Sequence, residues 1–294
     1  NLAPVAGLLG LPSQRDAAAT AAGTVALATH ASVANHYVVE AGRDERLSLD
    51  GETLRLALAL RYGIAARWDL QLDVPWLDHS GGRLDSLIDH WHDFWGLPDG
   101  GRSAVDRDLL EYRYAGPGGA FRLPDDAAGL GDISLSVGYE LYADDLAVAS
   151  LVLGYKFGTG DEDAFAGSGA DDVFLALRHS ARLAELPLRW HGQVGYLRAG
   201  DSDLLTDAQA RDLWFAGLSL DWMLGPRWSL LGQVDAHGAP LDSELTGVGD
   251  EAVLLALGTR WRFAERWSLD VQLVEDIAVE TAPDITFQAS LRFR

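Results

Sequence analysis

Cysteine is absent from the 294-residue sequence, and methionine occurs once. Without cysteine the chain can form neither a disulfide framework nor a thiolate metal site, and a single methionine excludes a methionine-rich adaptable binding surface. Positive charge is also scarce, because 23 lysine and arginine residues stand against 44 aspartate and glutamate residues, for a net charge of −21. Nucleic-acid binding requires a basic face, so this balance excludes nucleic acid as a partner.

Long apolar runs are also missing. The longest ones, such as residues 252–258, fall far short of the roughly 18 residues that a membrane-spanning helix requires. If the chain crosses a membrane, it must therefore do so with β-strands. The chain begins at Asn1 without a basic region, which is what we expect of a mature exported protein after removal of its signal peptide.

The dominant signal that is present, from Gly23 onward, is alternation of apolar and polar residues in segments of about ten residues, as in transmembrane strands. In residues 53–62, leucines alternate with a set that includes Arg55 and Arg61. The pattern predicts an all-β fold, a transmembrane antiparallel up-and-down β-barrel of about twelve strands. The predicted strands lie near 24–34, 53–62, 67–77, 132–142, 146–157, 173–182, 188–198, 213–223, 228–237, 252–263, 267–275 and 285–293.

Connection lengths predict the orientation of this barrel. Short turns face the periplasm in bacterial barrels and long loops face outward, and an even strand number places both termini in the periplasm. The longer connections, and hence the predicted extracellular loops, are 35–51, 78–130, 158–172, 199–212, 238–251 and 276–284. Residues 1–22 are predicted to be a periplasmic or plug segment that precedes the barrel at 23–294.

Tryptophan marks the predicted membrane interfaces. Trp68, Trp228 and Trp267 each follow an arginine at the end of a short turn, and Trp76 ends the strand that Trp68 begins. Because indole rings prefer the headgroup level, these four residues are predicted to belong to the membrane girdle. The expected partners are therefore outer-membrane lipids, lipopolysaccharide and the barrel-insertion machinery, while the oligomeric state stays open.

The alternative fold is a soluble β-sandwich or barrel, whose strands also alternate. A soluble barrel buries its apolar face, whereas the polar face here combines arginine, aspartate and small residues, which suits a hydrated lumen. The final segment also resembles the C-terminal strand signal of outer-membrane proteins, since apolar residues alternate from Ile285 to Phe293. Arg294 departs from that signal, which usually ends on an aromatic residue.

Several motifs resemble an uncharacterised family of Gram-negative outer-membrane proteins, the domain of unknown function 3187. The resemblance spans nearly the whole chain and implies an outer-membrane barrel without an established activity. Its most distinctive part is the segment from Gly81 to His92. The other matching segments are Asn1-Leu2-Ala3-Pro4, Gly10-Leu11-Pro12, Leu49-Asp50-Gly51-Glu52-Thr53, Gly96-Leu97-Pro98-Asp99-Gly100-Gly101-Arg102 and Gly129-Leu130-Gly131-Asp132-Ile133.

Charged residues on the polar face predict the function of the lumen. Rows of arginine would select anionic or polyhydroxylated solutes along a hydrated path. The alternative is a salt-bridged interior that fills a narrow barrel, because buried charges must be paired or hydrated. The predicted lumen and selectivity residues are Arg55, Arg61, Arg178, Arg189, Arg260, Arg262, Asp69, Asp132 and Asp235.

The predicted loop 78–130 is far longer than a hairpin needs, and such loops are usually functional or disordered. Apolar residues at helical spacing, among them Leu84, Ile88, Trp91 and Trp95, predict a short amphipathic helix in this loop. At the barrel mouth such a helix would act as a lid, or it would merely cover the rim.

The remaining candidates are weaker. No organic cofactor is expected, but Asp161, Asp163 and Asp171 lie on a glycine-rich acidic loop that could bind Ca²⁺, with solvated charge as the alternative. His30 and Ser32 share one strand face, as a catalytic dyad of a lipid-modifying enzyme would require, although no Gly-x-Ser-x-Gly motif occurs. The sequence thus favours a narrow or gated channel for small polar or anionic solutes. The alternatives are a lipid-modifying enzyme and a structural or adhesive surface barrel with a filled lumen.

Overall fold

The computed structural model describes residues 1–82, 109–277, 281–283 and 285–294. Within them lies one sheet of fifteen strands. In chain order they are β1 (Val25–Ala41), β2 (Arg46–Ala65), β3 (Trp68–Ser80), β4 (Glu111–Gly116), β5 (Gly119–Leu123), β6 (Ala127–Leu130), β7 (Ser134–Ala143), β8 (Ala147–Lys156), β9 (Asp172–Arg182), β10 (Leu188–Arg198), β11 (Asp212–Met223), β12 (Trp228–His237), β13 (Ala252–Trp261), β14 (Trp267–Asp276) and β15 (Ile285–Phe293).

All strands except β4, β5 and β6 form a closed antiparallel barrel of twelve strands, which confirms the predicted fold class. The strands pair in chain order, and β1 pairs with β15 to close the barrel, with Leu27 opposite Phe293. The short turns lie at one end, called here the turn end, and the long connections lie at the other, the loop end. Among the described residues, no helix combines the length and apolar character needed to cross a membrane.

The prediction of a loop at 35–51 is wrong. β1 and β2 continue through this region and remain paired as far as Ala41 and Arg46, so a tight turn at 42–45 is all that connects them. The strands extend because alternation continues beyond the membrane segment. Val38, Leu47 and Leu49 point to one side and are buried in an apolar core at the loop end.

The predicted loop 78–130 contains three strands rather than only a helix. β6 pairs with the upper part of β3, β4 pairs with the extension of β2, and β5 pairs with β4. The predicted lid residues Leu84, Ile88, Trp91 and Trp95 lie outside the described residues. The α-helix in the part of the chain that the structure describes is Thr246–Gly249, in the connection between β12 and β13.

The outer face of the barrel is apolar. In β2, Leu56, Leu58 and Leu60 are 40, 44 and 37% exposed, whereas their neighbours Ala57 and Ala59 are only 5 and 8% exposed. This is the pattern of a barrel whose leucines face lipid and whose small residues face the interior. The predicted register of β2 therefore matches the structure.

Aromatic rings border this apolar face at the turn end. Trp68, Trp228 and Trp267 are exposed there, and their place in a membrane girdle stays a prediction. Trp228 stacks on Trp261, with their ring centroids 5.8 Å apart. Trp76 is partly buried and lies near the loop end of β3, opposite Leu130 of β6.

A hydrophobic cap covers the loop end. We use this name for the cluster of buried residues that β1, β2, β4, β5 and the loops form above the barrel: Val5, Leu8, Val38, Leu47, Leu49, Leu110, Tyr112, Tyr114, Phe121, Leu123, Phe165, Leu205, Ala208, Leu241, Leu245 and Val248. Its centre is aromatic, since Phe165 lies 5.4 Å from Phe121 and 6.3 Å from Tyr112 between ring centroids. Val5 and Leu8 connect the cap to the N-terminal segment.

Glu45 ties the hairpin of β1 and β2 to the cap. It accepts hydrogen bonds from the Tyr114 hydroxyl at 2.6 Å and from Ser243 and the Glu244 amide at 2.9 and 2.7 Å. Burial raises the pKa of Glu45, but these hydrogen bonds outweigh burial, so the pKa lies below its usual value of 4.5. Burial, together with this carboxylate, raises the pKa of Tyr114 to about 12. The pair therefore stays a neutral phenol and an ionised carboxylate at neutral pH.

Candidate functional site

Residues 1–22, called here the N-terminal segment, run lengthwise through the barrel. Asn1 donates to the Thr281 carbonyl at 2.9 Å at the loop end, while the Thr20 amide donates to Asp69 at 2.9 Å near the turn end. Asn1 and Arg294 therefore lie at opposite ends of the barrel. The prediction that both termini lie on one side is therefore wrong, because the segment places Asn1 at the loop end while the Arg294 amide donates to the Arg266 carbonyl at the turn end.

Glycine makes room for the segment where it meets the wall at the turn end. The Gly23 amide donates to the Gly63 carbonyl, and the Gly63 amide donates to the Thr24 carbonyl. A Cβ atom at Gly63 would lie 2.2 Å from the Ala21 carbonyl oxygen and 2.4 Å from the Thr20 carbonyl oxygen. Since these are backbone atoms, any side chain at this position would displace the segment.

The middle of the segment contacts the wall through polar groups. Gln14 donates to Asp235 at 2.9 Å and accepts from Ser219 at 2.7 Å. The Ala17 amide donates to the Ser180 hydroxyl at 2.8 Å, and the Ser13 carbonyl accepts from Arg178 at 3.3 Å. The predicted lumen residues Asp235 and Arg178 thus bind the segment itself. A polar interface of this kind exchanges readily for water, unlike a hydrophobic one.

Lys156 fastens the segment just below the cap. Its ammonium group donates to the Leu8 carbonyl at 2.9 Å and to Asp132 at 2.8 Å, and it lies 3.1 Å from Asp172. Asp172 in turn accepts from the Gly10 amide at 2.8 Å. All three charged side chains are almost fully buried, so the ammonium group stabilises both carboxylates in place of water.

Two ion networks lie nearer the turn end. In the first, Asp69 accepts from Arg61 at 2.6 Å and lies 3.5 Å from Arg15 of the segment. This network therefore includes two predicted lumen residues and one residue of the segment. It holds the segment electrostatically beside β2 and β3.

The second network joins β11, β13, β14 and β15. Arg260 donates to Asp221 at 2.6 Å and to Asp270 at 2.7 Å, and Asp270 also accepts from Arg292 at 2.9 Å. Arg262 lies 3.4 Å from Asp221. These contacts match the alternative in which lumen charges pair with each other.

Arg189 differs from the other predicted lumen residues. It is exposed, because it lies in the second position of β10 at the turn end, where it is opposite Asp221 of β11. The position belongs to the rim of the barrel, and the strand pattern alone does not distinguish a rim residue from one inside.

A cavity of about 110 Å³ remains between the segment and the wall. It lies between residues 7–13 and strands β2, β3, β7, β8 and β9, and its polar lining includes Arg55, Gln71, Asp73, Ser136 and Arg178. Because the lining carries charges and hydroxyl groups, the space suits water or a polar solute.

The structure does not pair His30 with Ser32. His30 is opposite Ser290 in the register of β1 and β15, and its Nδ1 lies 2.7 Å from the Ser290 hydroxyl. Ser32 is buried two residues further along the strand. Catalysis by His30 and Ser32 stays an untested prediction.

Two of the three predicted calcium ligands already accept hydrogen bonds from the protein. Asp161 accepts from the amides of Asp163 and Ala164, and Asp171 accepts from the Tyr155 hydroxyl at 2.5 Å. Across the part of the chain that the structure describes, no three histidine, aspartate or glutamate residues are grouped as metal ligands. Calcium binding by Asp161, Asp163 and Asp171 stays a prediction.

Two residues that position the segment do not follow from the sequence pattern. Ser180 and Lys156 both lie in strands that the alternation predicts, but neither was assigned a role. Lys156 carried a signal, since it is the single lysine of the chain and stands at the end of a strand. Ser180 had no such signal, because its partner Ala17 belongs to a segment without alternation of apolar and polar residues.

The chain is similar to one protein family and to several solved structures. The model of a family described as a protein of unknown function, DUF3187, matches residues 1–294. The COG4313 outer membrane channel from Pseudomonas putida F1 is similar in structure, with a TM-score of 0.62 and 16% identity over 96% of this chain and 98% of that chain. The NanC porin has a TM-score of 0.50 and 8% identity over 92% of this chain and 100% of that chain. None of the curated proteins compared with the chain matches it. The two structural likenesses show a fold shared with outer-membrane barrels.

Proposed function

The chain belongs to the DUF3187 family, whose function is unknown, and from this premise we propose that it is a narrow, gated outer-membrane channel for small polar or anionic solutes. In this proposal the N-terminal segment is the plug, and the barrel at 23–294 is the pore that it fills. The short turns face the periplasm, as in other bacterial barrels.

The observation that carries the proposal is the polar fit between the segment and the wall. From Pro12 to Thr20 the segment is held mainly by hydrogen bonds and ion pairs, to partners such as Gln193, Ser180 and Asp69. Water can replace each of these contacts, so displacing this part of the segment leaves a hydrated path. A plug with a hydrophobic core would instead expose apolar surface when it moved.

The solute class follows from the arginine residues that line this path. Arg55, Arg178 and Arg260 carry permanent positive charge, because guanidinium groups do not deprotonate near neutral pH. Asp221 and Asp270 neutralise much of the charge of Arg260 by direct contact. We therefore expect modest anion selectivity that decreases with salt, since ions screen the remaining charge.

The test locks the segment to the wall with a disulfide. The variant is Ala17→Cys with Ser180→Cys. The two positions are close, since the Ala17 backbone amide donates to the Ser180 hydroxyl at 2.8 Å, and the chain has no other cysteine. Conductance in planar bilayers should be low when the variant is oxidised and should rise on reduction. Reversal potentials across a salt gradient should show anion preference in the reduced state.

The single variants Ala17→Cys and Ser180→Cys are the controls, because neither can form the intramolecular disulfide. They should conduct equally with and without reductant. If the double variant conducts equally when oxidised and reduced, displacement of the segment does not gate the barrel, and the proposal fails.

A second candidate function is a filled scaffold at the cell surface. The ion network of Arg260, Asp221, Asp270 and Arg292 favours it, because these side chains of neighbouring strands pair with one another along the lumen wall. In that case neither redox state of the double variant should conduct above the bilayer background.

A further inference from the structure

The cavity beside the segment has a buried charged group with unused hydrogen-bonding capacity. Arg178 is 3% exposed. Its Nε donates to Gln193 at 3.2 Å and one terminal nitrogen donates to the Ser13 carbonyl at 3.3 Å, but the other terminal nitrogen is buried without a partner. A buried donor on a charged group is costly to leave unpaired, so this nitrogen points to a missing acceptor.

A second guanidinium group lines the same cavity. Within the described residues, the side chain of Arg55 has no direct hydrogen bond or ion pair, and Asp73 acts on it only as a nearby charge. Of the other charged lining residues, Lys156 already contacts two carboxylates, those of Asp132 and Asp172. The guanidinium groups of Arg55 and Arg178 therefore keep donors that no carboxylate among the described residues contacts, and a bound carboxylate would accept from them.

The cavity also has an acceptor that lacks a donor. Gln71 uses its amide nitrogen to donate to Asp73 at 2.7 Å, and this contact fixes the orientation of the amide group. The carbonyl oxygen of Gln71 is buried without a partner. A ligand that carried only a carboxylate would satisfy the arginines but not this oxygen, whereas a ligand with an added hydroxyl group would satisfy both.

We propose that this cavity binds a short hydroxycarboxylate, with its carboxylate between Arg55 and Arg178 and its hydroxyl group donating to Gln71. The volume of the cavity agrees with a ligand of this size. A cavity of about 150 Å³ holds benzene, which has six heavy atoms. The 110 Å³ here are smaller and suit a hydroxy acid of two carbons, such as glycolate, with the three-carbon lactate at the upper limit. The proposal rests on the proposed function, since the ligand reaches the cavity through the lumen.

Equilibrium binding to the purified full chain in detergent tests the site, with lactate and propionate as the probes. The two acids differ by one hydroxyl group, so lactate should bind about tenfold more tightly than propionate. Arg178→Gln should weaken lactate binding at least about tenfold, and Arg178→Lys should weaken it less because the charge remains. Arg198→Gln, at an exposed ion pair outside the cavity, should bind like the wild type.

Each of the following outcomes would contradict the proposed binding site. Absence of saturable lactate binding to the wild type would mean that the cavity holds water only. Equal affinities for lactate and propionate would remove the role of Gln71, and equal affinities of Arg178→Gln and Arg198→Gln would remove the role of Arg178. Heat-modifiable mobility in gel electrophoresis checks that each variant is folded.

Binding and conductance separate the two proposals. If the reduced cross-linking variant conducts but lactate does not bind, the site fails and the channel stands. If lactate binds with the expected discrimination but neither redox state conducts, the site stands and the channel fails.

Discussion

The cap and the lumen hold the same N-terminal segment by opposite means. In the cap, Val5 and Leu8 are buried among aromatic and aliphatic side chains. In the lumen, residues from Pro12 to Thr20 are held by hydrogen bonds and ion pairs to inward-facing side chains. Hydrophobic burial has no substitute in water, whereas water replaces polar contacts directly. The contrast indicates that the cap fixes the first residues of the segment, whereas the stretch from Pro12 to Thr20, between the cap and β1, can move.

The largest effect should come from the centre of the cap. Phe165→Ala removes a side chain that is 1% exposed and contacts Tyr112 and Phe121. Deleting a buried phenylalanine side chain costs about 3–5 kcal/mol, so urea unfolding in vesicles should occur at a clearly lower concentration. Leu109→Ala, at an exposed leucine, should change the midpoint little. Equal shifts in the two variants would show that the cap is not a packed core.

The second variant changes Lys156, which lies between the cap and the lumen. Lys156→Met removes the ammonium group and leaves Asp132 and Asp172 buried without their cation. Breaking a buried pair in this way costs about 3–5 kcal/mol. We expect lower stability and higher conductance, because the Leu8 carbonyl also loses its donor.

Arg198→Met is the matched control for that variant. It breaks the exposed ion pair with Asp212, and such pairs contribute only about 0–1 kcal/mol. A Lys156→Met variant that is as stable and as impermeable as Arg198→Met would show that Lys156 does not fasten the segment.

A smaller effect is expected at the turn end, where the segment meets Gly63. Gly63→Val places a side chain against the backbone of Thr20 and Ala21, and strain of this kind costs about 1–3 kcal/mol. Because the nearby contacts are polar, we expect the segment to shift and single-channel conductance to rise. Gly225→Val is the control, since a Cβ atom there meets nothing within 4 Å. Conductance that is equal in the two variants would contradict a movable segment.

The smallest effect concerns pH and is confined to the cap. The pKa of Glu45 is lowered in the folded protein by its hydrogen bonds, so its contribution to stability is present above the unfolded value of about 4.5. That contribution is lost as the pH falls through the folded pKa. Glu45→Gln should therefore lower stability at pH 7 and reduce the loss of stability on acidification. Unfolding midpoints of both proteins from pH 7 to pH 3 would check this, and parallel curves would contradict it.

Sequence periodicity predicted the barrel because its strands face two different environments. Lipid and lumen impose period-two alternation over about ten residues, which is why β2 and β3 could be placed. Above the membrane, the extensions of β1 and β2 carry the buried polar residues Asp50 and Glu52 beside apolar ones. The alternation continues there, but its apolar residues face the cap rather than lipid, so the pattern predicts a loop where the structure has a hairpin.

The candidate site could be predicted only in part. Arg55 and Arg178 follow from strand position alone, but Ser180 and Lys156 gain their roles from neighbours that are distant in sequence. His30 shows the limit most clearly, because its partner Ser290 belongs to the strand that closes the barrel. One strand predicts which residues share its face, but it does not predict what lies across from them.

Hydrogen exchange of the full chain in lipid vesicles tests the central contrast most directly. The amides of Ala17 and Thr20, which donate to wall side chains in the lumen, should exchange through local opening of the segment. The amide of Leu241, which donates to Val248 within the cap, should exchange only with unfolding of the cap. We predict much faster exchange at the two lumen positions. Equally slow exchange at all three amides would mean that the segment is as fixed in the lumen as in the cap, and that it is no gate.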